Sequence, residues 1–180
     1  LRGNGRAFCA GGDLQSQKFY PKPEDIPQPS MMDNVLRIWR MPKPVIAAVR
    51  GHALGQGIEI AGMCDLTIAA DDAQFGEIQI RHGFGPPMLV TPFLTGLKNA
   101  KFIMLSGEVF SAEEAYRVGL VNRVVPAAEL EEAVETQAKK LASLPPTAVA
   151  LNKLAVNRVY ELAGFQAALN YRDDPVIQAL

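Results

Sequence analysis

Cysteine is scarce in this chain, and its charges nearly cancel. Only Cys9 and Cys64 occur among the 180 residues. They offer neither the spacing of a metal centre nor a disulfide framework. Their apolar neighbours read as the surroundings of two small buried side chains in a reducing compartment, which points to the cytoplasm. The formal net charge is −1, which gives no reason to expect nucleic acid or an anionic membrane surface as partner. No run reaches the ~18 apolar residues that a membrane-spanning helix needs. The opening Leu1-Arg2-Gly3-Asn4-Gly5 has neither a Met nor a signal-peptide pattern. No segment recurs at a fixed period. What is present is the composition of a globular domain, 48% hydrophobic and 21% charged, on a chain long enough for a real core.

The most informative stretch is Gly51-His52-Ala53-Leu54-Gly55-Gln56-Gly57-Ile58-Glu59. It follows Val45-Ile46-Ala47-Ala48-Val49, an apolar run after Pro42 and Pro44 that reads as a buried strand. Gly55 and Gly57 let the backbone turn sharply and approach a ligand closely. Ile58 to Cys64 then reads as the first turns of a buried helix. Free N–H groups at such a helix start stabilise negative charge. Glu59 lies about one turn beyond Gln56, so an anion-binding backbone and a carboxylate sit within reach of one small substrate. A second segment, Arg6-Ala7-Phe8-Cys9-Ala10-Gly11-Gly12-Asp13-Leu14, reads as a short strand breaking at two glycines into a helix. The backbone N–H groups near Gly12 are a second donor candidate. Two such turns can hold a thioester oxygen as it becomes an enolate, and losing one donor typically costs about 2.7–4 kcal/mol of transition-state stabilisation.

These segments, taken in order, resemble the enoyl-CoA hydratase/isomerase (crotonase) family. The resemblance continues through Cys64-Asp65-Leu66, Ala73-Gln74-Phe75-Gly76, Leu105-Ser106-Gly107, Ser111-Ala112-Glu113-Glu114-Ala115 and Gly119-Leu120-Val121-Asn122-Arg123-Val124-Val125-Pro126. It implies an α/β fold with a ββα spiral core, over 1–126, followed by a C-terminal helical region of the same domain, 127–180. It also implies that the family's N-terminal units would precede Leu1, so the chain reads as a fragment of a longer protein. The implied substrate is an acyl-CoA thioester, which carries the only coenzyme; no metal or redox cofactor is expected. The implied assembly is a homotrimer or a dimer of trimers, built on the C-terminal helices.

Along the chain, residues 19–29 carry four prolines and cannot be regular structure. They are either a plain surface connection or, as in the family, a loop covering the acyl pocket. Ser30 is placed to cap a helix running to Arg40, with Asp33 in its first turn. Residues 65–70 and 73–75 read as short strands. Ser111-Ala112-Glu113-Glu114 fits a capping box, and Gly119 fits the stop after that helix. Residues 127–143 place Leu130, Val134, Ala138 and Leu141 on one face. Pro145 and Pro146 open a further helix, from Thr147 to about Leu162.

Glu59 is the first catalytic candidate. A carboxylate in an early turn also favours the helix dipole without any chemistry, but Ile58, Ile60 and Ala61 around it point to burial, and a buried carboxylate needs a reason. Burial would raise its pKa toward acid/base use. In the family's hydratases the matching glutamate works with a second one. Counting from Phe75, that second position here is Gln79, which can hydrogen-bond a water but cannot shuttle its proton. Glu77 is the nearest replacement. If 77–79 is extended, both side chains point to one side, about 6–7 Å apart; the alternative is an exposed loop glutamate. His82, in Arg81-His82-Gly83-Phe84-Gly85-Pro86-Pro87-Met88, is a further acid/base candidate, against the commoner case of a loop histidine with no role. His52 reads as packing or hydrogen-bonding. Gly12 and Gln56 are the oxyanion candidates, both through backbone N–H. Ala10, Asp13, Leu14 and Gln15 match the family segment along CoA, and Asp65 reads as structural. The leading expectation is an enoyl-CoA hydratase. A double-bond isomerase using one carboxylate and an acyl-CoA-binding homologue with little catalysis are the alternatives.

Overall fold

The computed structural model describes residues 1–13 and 31–179. Leu14, Gln15, the proline-rich stretch 19–29 and the Ser30 cap lie outside the described residues. The chain then runs α1 (Met31–Arg40), β1 (Ile46–Val49), β2 (His52–Leu54), α2 (Gln56–Met63), β3 (Leu66–Ala70), β4 (Gln74–Gly76), α3 (Thr91–Ser106), β5 (Phe110–Ser111), α4 (Ala112–Arg117), β6 (Arg123–Val125), α5 (Leu130–Ala142), α6 (Pro146–Leu162), α7 (Phe165–Leu169) and α8 (Pro175–Gln178).

Two three-stranded sheets form the centre, in the orders β1-β3-β6 and β2-β4-β5. The first is all parallel, with Ile46 opposite Leu66 and Ile68 opposite Arg123. In the second, β2 and β4 are parallel and β5 returns antiparallel. All four residues of β1 are buried, as its unbroken apolar run requires. The apolar run therefore ends one element earlier than the helix. At Gly51 the backbone turns with φ +54°, and a side chain there would strike the Arg6 carbonyl at 2.3 Å. That turn takes the chain out of the first sheet and into the second, where β2 leads directly to α2. The expected strand before Gly11 shrinks to a single parallel bridge, Cys9 with Ala53. The Cys9 N–H donates to the His52 carbonyl, and the Leu54 N–H donates back to Cys9.

Three apolar clusters hold these layers. Ala47, Val49, Ile58, Phe75 and Leu120 fill the space between the sheets and α2. Val35, Met63, Met88, Val90 and Phe165 join α1, α2 and α7, with Trp39 stacked 4.5 Å from Phe165. Ile46, Ile68, Val125 and Leu130 seat α5 on the first sheet. On α5 the inward face is Leu130, Ala133, Val134 and Leu141; Ala138, expected there, is exposed. The Ser111 hydroxyl accepts the Glu114 N–H as a capping box requires, but the Glu114 carboxylate pairs with Arg117 instead of reaching back. Gly119 follows α4 with φ +91°, as its stop role predicts.

Helix α6 is attached by polar pins. Lys153 Nζ donates to Asp65 at 2.8 Å, to the Ile38 carbonyl at 2.8 Å and to the Lys43 carbonyl at 3.3 Å. Asp65 also accepts the Val45 N–H, confirming its structural reading. Asn157 donates to the Trp39 carbonyl. Leu151, Leu154, Val159 and Leu162 of this helix remain exposed.

Candidate active site

The second sheet brings the two glycine turns together. Ala10, Gly11 and Gly12 from the first turn, and Gly55 and Gln56 from the second, line one cavity of about 110 Å³. Gln79, His82, Pro87 and Arg172 close it. Gly57 explains the closeness of the turns. A side chain there would meet the Cys9 carbonyl at 2.3 Å, so α2 packs directly on the backbone that leads to Gly12. Gln56 is the first residue of α2, so its N–H has no acceptor within the helix. Both oxyanion candidates thus face one space.

Glu59 does not line that cavity. It sits one residue behind the lining, fully buried on α2. Its Oε2 accepts the N–H of Met88 at 2.9 Å, next to the lining Pro87. Its Oε1 is buried and, among the described residues, lies within full hydrogen-bond geometry of no donor, although the Val90 N–H is near enough to favour the carboxylate. Burial pushes its carboxyl well above the usual carboxylate range, and the neighbouring Glu77 charge adds to the rise; the Met88 N–H, the Arg172 charge and the Val90 N–H oppose it.

Glu77 and Gln79 differ from both sequence expectations. The chain does not stay extended: a 3₁₀ helix, Ile78–His82, starts directly after Glu77. Glu77 is not an exposed loop residue but is 0% exposed. One of its oxygens accepts the Thr91 hydroxyl at 2.6 Å and the other accepts the Gln79 amide at 2.8 Å. The two side chains touch rather than standing 6–7 Å apart. Burial raises the Glu77 carboxyl, and the donors from Thr91 and Gln79 pull it back. The Gln79 Oε1 is the other buried oxygen with no partner among the described residues.

Ala10 lines the cavity; Asp13 is exposed beside it, and Leu14 and Gln15 lie outside the described residues. His82 is exposed at the cavity edge, and His52 is exposed on β2 rather than packed. Three contributors escaped the sequence reading. Thr91 was hidden in the apolar run Met88-Leu89-Val90-Thr91-Pro92, where a lone hydroxyl is the only signal. The Met88 N–H carries no side-chain signal at all. Arg172 arrives from the far end of the chain, where it and Tyr171 both donate to the Pro86 carbonyl, at 3.2 and 2.5 Å.

A larger cavity of about 550 Å³ lies beneath α6, lined by Trp39, Met63, Phe93, Val149 and Phe165 among others. Its cation, Lys153, is taken up by Asp65 and two carbonyls, and neither orphaned oxygen belongs to it. Gln79, which carries one of those oxygens, lines the smaller space, and that makes it the candidate site. Among the described residues no cluster of three His, Cys, Asp or Glu could hold a metal ion, and no helix is long and apolar enough to cross a membrane.

Known proteins match this arrangement. The family model for enoyl-CoA hydratase/isomerase matches residues 1–174. A short-chain-enoyl-CoA hydratase of Clostridium acetobutylicum is 39% identical over 157 residues, covering 85% of this chain and 60% of the relative. A crotonyl-CoA hydratase of Syntrophomonas wolfei is 39% identical over 162 residues, covering 87% and 62%. The crystal structure of an enoyl-CoA hydratase/isomerase from Xanthobacter autotrophicus superposes with a TM-score of 0.86 at 39% identity, covering 94% of this chain and 65% of that one. The chain thus spans about 60% of the length of the curated relatives it matches. With the match to the family model extending over most of its length, the chain belongs to the enoyl-CoA hydratase/isomerase family.

Proposed function

We propose that the protein hydrates a 2-enoyl-CoA thioester to the 3-hydroxyacyl-CoA. The observation that carries this reading is the buried, proton-hungry Glu59, set directly behind a cavity walled by two glycine turns. The Gly12 and Gln56 N–H groups hold the thioester oxygen. Water adds its oxygen to C3 while Glu59 takes one of its protons. The electron pair of the double bond moves onto the thioester oxygen as an enolate, stabilised by those two donors. Glu59 then returns the proton to C2, so one water is added and nothing is oxidised. A raised pKa suits Glu59 to both transfers. Access of substrate to Glu59 requires the Pro87–Met88 wall to give way. The CoA arrives with the substrate, and the reaction needs no metal or redox cofactor.

The experiment is product analysis of the full-length protein with crotonyl-CoA. A product heavier by one water, formed by the wild type and not by Glu59→Gln, supports the reading; unchanged crotonyl-CoA contradicts it. Gln79 favours one second reading, since only one proton-carrying group then serves the reacting carbons directly. That reading is an isomerase in which Glu59 moves a proton between C2 and C4, and turnover of 3-enoyl-CoA without hydration would establish it.

The names of the relatives support a short acyl chain. Self-association, as in the homotrimer the family resemblance implies, is supported by the exposed Leu97, Phe102 and Leu105 of α3 and the apolar outer face of α6. Two free thiols suit the cytoplasm.

A further inference from the structure

Two buried side-chain oxygens lack a partner among the described residues, Glu59 Oε1 and Gln79 Oε1. The first belongs to the acid/base. The second is placed by its neighbours. Glu77 is an acceptor on both oxygens, and it takes the Gln79 amide N–H at 2.8 Å. Turning that amide over would aim its oxygen at a carboxylate, acceptor against acceptor. Glu77 therefore fixes which end of Gln79 faces away. Thr91 in turn fixes Glu77, donating its hydroxyl at 2.6 Å from a position that is itself 1% exposed. The freed Oε1 lies over the second glycine turn, 3.4 Å from where a Gly55 side chain would begin. Gly55 and Gln79 line the same cavity.

We propose that Thr91 and Glu77 are positioning residues that hold Gln79 as a hydrogen-bond acceptor for the attacking water, in place of a second acid/base carboxylate. The proposal rests on the hydratase reading. One water has two O–H bonds: in the proposed hydration one goes to Glu59, and the Gln79 oxygen that Glu77 leaves free takes the other. A water donating to both Glu59 and Gln79 loses its proton only to Glu59, because an amide oxygen at neutral pH does not keep one. Gln79 then orients the water and Glu59 alone carries the proton from water to C2. The pair Thr91–Glu77 acts through the geometry of one amide; the Glu77 charge also raises the Glu59 carboxyl, so Thr91 is the member that isolates the positioning effect.

The test is steady-state hydration of crotonyl-CoA by the full-length protein and five variants. Gln79→Ala should lower kcat by about 10²-fold, the scale of a lost orientation, with KM within about twofold. Glu77→Gln and Thr91→Val should do the same, because a loosened amide samples both orientations. Thr91→Ser, which keeps the hydroxyl, should recover wild-type kcat. Thr91→Val combined with Gln79→Ala should be no slower than Gln79→Ala alone, since both act through one oxygen. Losses that multiply in the double variant would assign Thr91 a separate role and overturn the proposal. So would a Thr91→Ser as slow as Thr91→Val, or a rise in KM at constant kcat. If Glu77→Gln fails to fold, the Thr91 pair decides alone. Hydration that needs Glu59 but ignores Gln79→Ala would overturn this proposal and leave the hydratase reading standing. No hydration by the wild type would overturn the hydratase reading, and the proposed water-positioning role with it.

Discussion

In the proposed hydration Glu59 carries the proton, and its burial has a thermodynamic signature. Its carboxyl is raised by desolvation first and by Glu77 second. The folded protein then holds more protons than the unfolded chain between the two pKa values, so stability falls as pH rises through that window. Glu59→Gln removes this penalty and keeps an acceptor for the Met88 N–H. The variant should melt above the wild type at pH 8, and the gap should close on acidification toward the ordinary carboxylate range. Each 1 kcal/mol should read as roughly 2–4 °C. Thermal melts from pH 4 to 8 measure this; a gap independent of pH would mean that Glu59 is not held with a raised pKa. The same raised pKa predicts that kcat/KM declines on the acid side, as Glu59 becomes protonated and can no longer accept a proton from water. At this scale the sequence was partly legible. The apolar residues around Glu59 announced its burial, because α2 has no polar face to turn outward. Glu77 was not legible, because its burial depends on Thr91, fourteen residues away along a chain whose intervening path no local pattern dictates.

Between elements, the positions of two turns depend on the absence of one side chain. Gly57 lets α2 lie against the Cys9 carbonyl, which sets the distance between the Gly12 and Gln56 N–H groups. Gly57→Ala should separate them and lower kcat by about 10²-fold, comparable to the loss of one oxyanion donor, with a smaller effect on affinity. Stopped-assay kinetics beside a melting curve would check it; an active, stable Gly57→Ala would show that the turns tolerate displacement. The motif Gly55-Gln56-Gly57 announced a turn open to a ligand, not the packing of Gly57 on the Cys9 carbonyl, and the short β2 was missed, since three residues carry too little alternation to read as a strand. Helix α6 poses a different problem. Its Lys153 pairs with Asp65 at 2.8 Å, with side chains only 7% and 21% exposed. Lys153→Met should destabilise the fold by about 3–5 kcal/mol, the cost of stranding a buried charge. Lys139→Met, which breaks a solvent-exposed pair with Glu135, should leave stability nearly unchanged. Denaturant titration of both variants tests the contrast. No pattern in the sequence linked Lys153 to Asp65, because the pair closes across 88 positions.

For the whole molecule, the ordered motifs from Phe8 to Pro126 carried the α/β architecture, and the sheets, helices and family match agree with it. What they did not carry was the partition of strands into two sheets, which turns on the backbone at Gly51. Nor did they show how little apolar surface α6 buries within the chain. The outward Leu97, Phe102 and Leu105 of α3 are 68%, 62% and 70% exposed, and an apolar surface of this kind predicts self-association of the full-length protein. Light scattering should give a mass of more than one chain, and a concentration-independent monomer would contradict it.

The central claim is that Glu59 moves the proton during hydration of an enoyl-CoA. It is tested most directly by kcat/KM on crotonyl-CoA for the wild type and Glu59→Gln, with thioester binding measured alongside by calorimetry. The account predicts a loss of about 10²–10⁴-fold in kcat/KM for the variant, with binding retained, as removal of a general acid/base should give. Equal turnover by the two proteins, or a wild type that binds crotonyl-CoA without hydrating it, would contradict the account.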